Sequence, residues 1–191
     1  TMLKEGYSPA LIENLGRQAG MPKGALELAD ELSLPLVLKY EHQAAEHYGA
    51  KYLPHPAVEV LTLMTEELKR SGKNKFMGFY EYLGEGRHLW EELTEHFPIT
   101  QKDYSVELIK ERLLFAQVIE AVWCLQEKVI SSAAEANLGS IYGWGFPAFK
   151  GGVIQYINDY GKAAFIEKCE LLKEKHGPRF TVPSLLKKME F

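Results

Sequence analysis

One thirteen-residue spacing occurs twice in this chain, at Ser8 and again at Ser131. Written S-x-A-x-x-x-N-L-G-x-x-x-G, it pairs Ser8, Ala10, Asn14, Leu15, Gly16 and Gly20 with Ser131, Ala133, Asn137, Leu138, Gly139 and Gly143, six identities in thirteen positions. An internal repeat constrains a fold more than any local propensity, because each copy must build the same supersecondary unit. After an insertion the copies realign. Gly24, Leu26, Leu28, Ala29 and Asp30 face Gly152, Ile154, Tyr156, Ile157 and Asn158, and Pro22 falls close to Pro147. The spacing has a physical meaning. A Ser caps the first helix. A mid-helix Gly, which costs about 1 kcal/mol in propensity, is explained if another backbone comes close. A terminal Gly turns the chain through positive φ. The unit predicts an all-α fold of two tandem related helical repeats, the first over 1–97 and the second over 98–191.

The punctuation along the chain agrees. Ser8-Pro9 opens a helix that Gly20 stops, and Met21-Pro22-Lys23-Gly24 is a turn. A short helix is predicted over 25–32, with Leu26, Leu28, Ala29 and Leu32 on its inner side. Pro35 and Pro56 start helices over 35–48 and 56–71, the second closed by Gly72. The aromatic run 76–82 breaks helical periodicity and predicts an extended arm within 72–82. A polar amphipathic helix over 86–96 leads to a boundary near 97–104. A long helix follows to about 128, apolar nearly all round in its middle, and a helix of that kind is enclosed by neighbours or by a partner. Further helices are predicted over 132–142, 152–159, 161–175 and 183–189, and no strand alternation is seen beyond the arm.

Composition narrows the function classes. Of 191 residues, 46% are hydrophobic and 25% charged, which places the chain among folded proteins. A net charge of -4 with no Lys/Arg run argues against nucleic acid. No uncharged apolar stretch reaches the roughly 18 residues of a membrane span. Two cysteines are too few for a disulfide framework, so a cytoplasmic location is expected. The six histidines sit in polar surroundings, with no HExxH and no His/Cys cluster, so neither a metal site nor a catalytic residue is assigned. The second turn, Gly143 to Gly152 with Lys150, could cradle an anion, yet it is neither a P-loop nor a G-x-G-x-x-G after a strand. Gly143, Gly145, Phe146, Pro147, Gly151 and Gly152 are therefore read as a structural turn.

Three passages resemble the C-terminal part of 3-hydroxyacyl-CoA dehydrogenases, in the duplicated form found in bifunctional and trifunctional fatty-acid oxidation proteins. Gly20 to Asp30 resembles the family's G-x-P-M/V-G-P-x-x-L-x-D. Gly72 to Tyr82 resembles G-x-K-x-G-x-G-F-Y-x-Y. Gly143 to Asp159, with His176-Gly177-Pro178-Arg179-Phe180, resembles G-x-G-F-P-P-F-x-G-G-x-x-x-Y-x-D followed by G-P-R-F. The chain departs from the pattern at Lys23, Ala25, Asn74, Phe76, Ile119 and Asn158. The resemblance implies a helical fold like the C-terminal domain of 6-phosphogluconate dehydrogenase. It implies that this chain walls an acyl-CoA pocket and supports a homodimer or intramolecular domain packing. In the family NAD and the catalytic His–Glu pair belong to a preceding Rossmann domain, and neither its strands nor its glycine fingerprint occurs here. The first copy also lacks the long leading helix that the second has. The expected substrate contacts are Met21, Pro22, Lys23 and Gly24, and the chain alone is expected to be inactive. A helical interaction module without chemistry, and the helical domain of another hydroxyacid dehydrogenase, are the alternative readings.

Overall fold

The computed structural model describes residues 1–52 and 54–190. They form helices α1 (Pro9–Gln18), α2 (Ala25–Leu32), α3 (Leu34–Tyr48) and α4 (Val58–Thr62), the last continued by a π turn over Leu63–Glu67. Strands β1 (Tyr80–Leu83) and β2 (Gly86–Leu89) and the single-turn α5 (Leu93–His96) follow. Then come α6 (Val106–Gln126), α7 (Ala133–Trp144), α8 (Val153–Tyr160), α9 (Lys162–His176) and α10 (Ser184–Lys188). The protein is predominantly helical, and among the described residues no helix is long and apolar enough to cross a membrane.

Two compact units result. One holds Thr1–Leu15 and Lys23–Tyr104; the other holds Gly16–Pro22 and the chain from Ser105 onward. The repeat boundary expected at 97 lies within the first unit, and residues 16–22, which belong to the first repeat in sequence, group with the second unit. In the first unit α2 packs on α3 and on β1, and α3 packs on α4. Leu34, Met64 and Leu93 are fully enclosed there. In the second unit α8 is central, with α6, α7 and α9 against it. Phe115 and Phe165 stack at 4.2 Å with an interplanar angle of 17°, while Tyr156 and Tyr160 meet them edge-on.

Three local expectations are corrected. Residues 86–89 are a strand, not the start of a helix over 86–96. Gly84 at φ 60 makes the two-residue turn of a hairpin that pairs Tyr80 with Leu89 and Leu83 with Gly86. On α2 Leu26 is buried as expected, but Glu27 and Asp30 share the buried side, Leu28 and Ala29 are half-buried, and Leu32 is exposed. In the second copy the cap is Ser132, not Ser131. Its hydroxyl accepts from Glu135 N at 3.2 Å, while the Glu135 carboxylate takes the Ser131 N–H and hydroxyl.

That one-residue shift changes how the copies correspond. Matched by role, Ser8 answers to Ser132, Ile12 to Ala136 and Gly16 to Ser140, and each of the last two pairs is buried. The identity match instead sets buried Leu15 against Leu138, which is 57% exposed. The expected turning glycine, Gly143, lies inside α7, and the left-handed position is Gly145 at φ 76. Gly139 was expected to admit a close backbone, but among the described residues no atom outside its own stretch of helix lies within 4 Å of where its Cβ would be.

Candidate functional site

In the first unit, one buried carboxylate organises each side of the turn after α1. Glu13 sits on α1 between Ile12 and Asn14 and is 1% exposed. Its oxygens accept from Leu26 N at 2.6 Å, Glu27 N at 3.3 Å and the Tyr80 hydroxyl at 2.7 Å. It therefore caps α2 from another helix, filling the role of a local N-cap. Gly24 precedes α2 because a Cβ there would collide with this carboxylate. The second carboxylate, Asp30, is fully buried on α2. It accepts from Phe79 N and Tyr80 N, both at 2.9 Å, and from the Tyr82 hydroxyl at 3.1 Å. Burial raises its carboxyl above the ordinary value, against the two backbone N–H groups, Tyr82 and Arg70, which pull it down. Burial, and then the Asp30 charge, pushes the Tyr82 hydroxyl upward in turn.

Asp30 is thus the anchor of the aromatic arm. A Cβ on Gly78 would strike its carboxylate, and a Cβ on Gly72 would strike its carbonyl. Arg70 holds the arm from behind: Nε donates to Gly78 O at 2.7 Å, Nη1 reaches Glu81 at 3.3 Å, and the guanidinium lies 4.1 Å over the Trp90 ring. Lys23 and Lys73 both pair with Glu31, and these two cations, Lys23 first, hold its carboxyl below the ordinary range.

The second unit repeats the capping device with an amide. Asn137 Oδ1 accepts from Ile154 N at 2.8 Å and Gln155 N at 3.1 Å, and Ser140 Oγ accepts from Val153 N at 3.3 Å. The first-turn N–H groups of α8 are occupied, so the anion-cradle reading of this glycine turn fails. Gly151 and Gly152 adopt φ 72 and φ 102, and a Cβ on Gly152 would meet the backbone of Asn137. Phe146 and Pro147 are buried and Gly145 adopts positive φ, whereas Gly143 takes no part in the turn. Beside the turn lies an open cleft of about 630 Å³, edged by Lys110 and Lys150 and floored by Tyr156 and Tyr160. Lys150 Nζ stands 4.9 Å over the Tyr156 ring. The Tyr160 hydroxyl donates to Glu111 at 2.9 Å; burial, with that bond, pushes it up to about 12.

The four expected substrate contacts are used unequally. Met21 is buried in the second unit, where its sulfur accepts from Gln117 Nε2 at 3.4 Å. Pro22 is exposed, Lys23 is paired with Glu31, and Gly24 is pressed on Glu13. Sequence reasoning missed Glu13 and Arg70. The available signal for Glu13 was a carboxylate placed among the apolar positions of a helix, one residue after Ile12 and two before Leu15.

Chemically the arrangement holds shape. Glu13 and Asp30 each accept three hydrogen bonds, and the buried Glu27 pairs with Arg87 at 2.9 Å. Burial raises both thiols, Cys169 to about 12, so neither is an activated nucleophile. Among the described residues no three His, Cys, Asp or Glu side chains are grouped to hold a metal. A dinucleotide does not fit these residues either. A pyrophosphate cradle of that class needs a parallel strand–turn–helix unit, and the described sheet is one antiparallel hairpin.

Comparison with known proteins gives a consistent picture. Residues 1–82 match the family model described as 3-hydroxyacyl-CoA dehydrogenase, C-terminal domain. The fatty acid oxidation complex subunit alpha of Idiomarina loihiensis is 30% identical over 173 residues, which are 89% of this chain and 24% of that protein. The chain thus spans about a quarter of that curated relative's length. Two solved structures share the fold: the dehydrogenase part of multifunctional enzyme 1 from C. elegans, and 3-hydroxybutyryl-CoA dehydrogenase from Escherichia coli K12. The first has a TM-score of 0.65 at 17% identity, over 99% of this chain and 44% of that one. The second has a TM-score of 0.70 at 16% identity, over 98% of this chain and 55% of that one.

Proposed function

We propose, from the premise that residues 1–82 belong to the family of 3-hydroxyacyl-CoA dehydrogenase C-terminal domains, that this chain is the helical wall of an NAD-dependent 3-hydroxyacyl-CoA dehydrogenase of fatty-acid oxidation. The observation that carries the reading is the combination of that match with the alignment of 89% of the chain to a fatty acid oxidation subunit four times its length. Hydride transfer to NAD belongs to another part of such a protein, and this chain's residues shape and dry the substrate side.

In this reading the turn Met21–Gly24 faces the acyl-CoA. The exposed ring of Pro22 presents an apolar surface, and Lys23, held by Glu31, stands one residue on. The carboxylates Glu13 and Asp30 fix the turn and the arm without taking part in the reaction. The first repeat, over 1–97, carries the substrate face, and the second, over 98–191, supports domain packing. Two free thiols suit a cytoplasmic location.

The chain alone, mixed with acetoacetyl-CoA and NADH, is expected to leave the absorbance of NADH unchanged. Steady oxidation by the pure chain would overturn the reading.

A further inference from the structure

The cleft of the second unit has a wall chemistry that selects its occupant. Ala19, Leu114, Tyr156 and Tyr160 line it, and Phe149, which is 76% exposed, stands at its edge. Its polar groups are largely spent on one another. The Tyr160 hydroxyl donates to Glu111, whose carboxylate also pairs with Lys168 at 2.7 Å. Asp159 accepts from Gln155 Nε2 at 2.8 Å. The Lys150 ammonium lies over two rings, 4.9 Å from the centre of Tyr156 and 5.3 Å from that of Phe149. Ring face and aliphatic stem are what remain for a ligand. Charge points the same way. Lys110 and Lys150 share the lining with Glu107, Glu111 and Asp159, so cations do not outnumber anions, and a polyanion such as the phosphate end of coenzyme A gains nothing there.

The cleft is also continuous with the turn proposed to face the substrate. Gln18 and Ala19 line it, and Gly20, Met21 and Pro22 follow directly in the chain. Two glycines close the join. A Cβ on Gly20 would lie 2.4 Å from the Phe149 ring, and a Cβ on Gly145 would lie 2.5 Å from the Pro22 ring. The exposed rings of Pro22 and Phe149 are thereby held on one pair of interlocked turns. We propose that this cleft takes the distal alkyl part of the acyl chain, and that Phe149 sets a preference for medium and long acyl groups over short ones. The inference rests on the proposed function, which supplies the acyl-CoA. The cleft, at about 630 Å³, has the size of a small-molecule site. Each methylene that leaves water for its apolar wall stabilises the bound thioester. A short acyl group ends at the turn and leaves the cleft empty.

Two measurements on the full-length gene product test this. The first compares kcat/KM for 3-hydroxydodecanoyl-CoA with that for 3-hydroxybutanoyl-CoA. Phe149→Ala, and Gln18→Trp, which fills the cleft, are each expected to lower the ratio of long to short at least several-fold. Both positions are exposed, and the melting temperature of this chain carrying either change is expected to stay nearly the same. An unchanged ratio, or an equal loss at both lengths, would overturn the proposal. The second measurement needs no turnover. Dodecanoyl-CoA with a diazirine at the end of its chain is expected to label the peptides carrying Phe149 and Tyr156, and butanoyl-CoA with the same group is expected to spare them. Labelling confined to other peptides would overturn the proposal. Turnover with such labelling sinks only the cleft, and cleft labelling without turnover on any acyl length sinks only the enzymatic reading.

Discussion

At Asp30 two opposing effects meet on one side chain. The carboxylate is fully buried, which disfavours its charge, yet two backbone N–H groups and a tyrosine hydroxyl converge on it. Replacing it by Asn leaves one acceptor and turns an NH2 toward a donor, which is expected to cost about 1–3 kcal/mol in urea unfolding. The pH dependence has a definite sign. Because the folded carboxyl holds its proton above the unfolded value of 3.8, the folded state binds more protons in that window. Its contribution is therefore full at low pH and declines as pH rises through the folded value. The stability gap between the protein and Asp30→Asn is expected to narrow from pH 4 toward neutrality; a widening gap would contradict the burial account. Glu31 runs the other way. Its carboxyl is lowered by Lys23 and Lys73, so its contribution is present above the ordinary carboxylate range and lost as pH falls through the folded value. Gly78→Ala drives a methyl into the Asp30 carboxylate and is expected to destabilise by about 1–3 kcal/mol, with the fluorescence of Trp90, whose backbone N–H donates to Phe79 O, reporting the arm's release. The glycines of the arm were visible in the sequence as a motif, but the carboxylate they clear space for was not. Asp30 and Glu13 sit on helices whose buried positions look apolar by period, and only the distant N–H groups, 49 and 13 residues away, explain their burial.

Among the elements, helices were legible wherever a cap or a stop residue marked them. α2 falls on the residues the turn signals predict, and α3 and α6 lie within a residue or two of theirs. β2 was not legible, because Arg87, His88 and Leu89 next to Glu91 and Glu92 read as a polar helical face, while hairpin pairing depends on Gly84 and a partner strand. The repeat shows a subtler failure. Identities align the copies one residue out of step, because N-L-G in the first copy has Leu15 buried and Asn14 exposed, whereas Asn137 in the second is the capping side chain. The capping role passed from Glu13 to Asn137, so identity and role diverged. Gly139→Ala and Gly152→Ala separate the two kinds of glycine. The first lies in an exposed helix with open space and is expected to stabilise this chain by about 1 kcal/mol. The second has φ 102 and abuts the Asn137 backbone, and is expected to destabilise it. Thermal unfolding of the two variants side by side checks both signs.

For the whole molecule, the buried Glu13, Asp30 and Ser140 serve capping and anchoring, and among the described residues no three His, Cys, Asp or Glu side chains are grouped to hold a metal. The family resemblance was legible in three passages, and the match over residues 1–82 bears it out for the first half. Of the four residues proposed as substrate contacts, Met21 meets Gln117 and Gly24 lies against Glu13. Pro22 and Lys23 are the expected contacts that point outward. In the full-length gene product, Pro22→Asp is expected to raise KM for acyl-CoA at least several-fold with a smaller change in kcat. The most direct test of the central claim is NADH production from NAD and a series of 3-hydroxyacyl-CoA thioesters, measured in parallel for the full-length gene product and for this chain. The account predicts turnover by the full-length product on some acyl length and none by this chain. Turnover by this chain, or inactivity of the full-length product across the series, would contradict it.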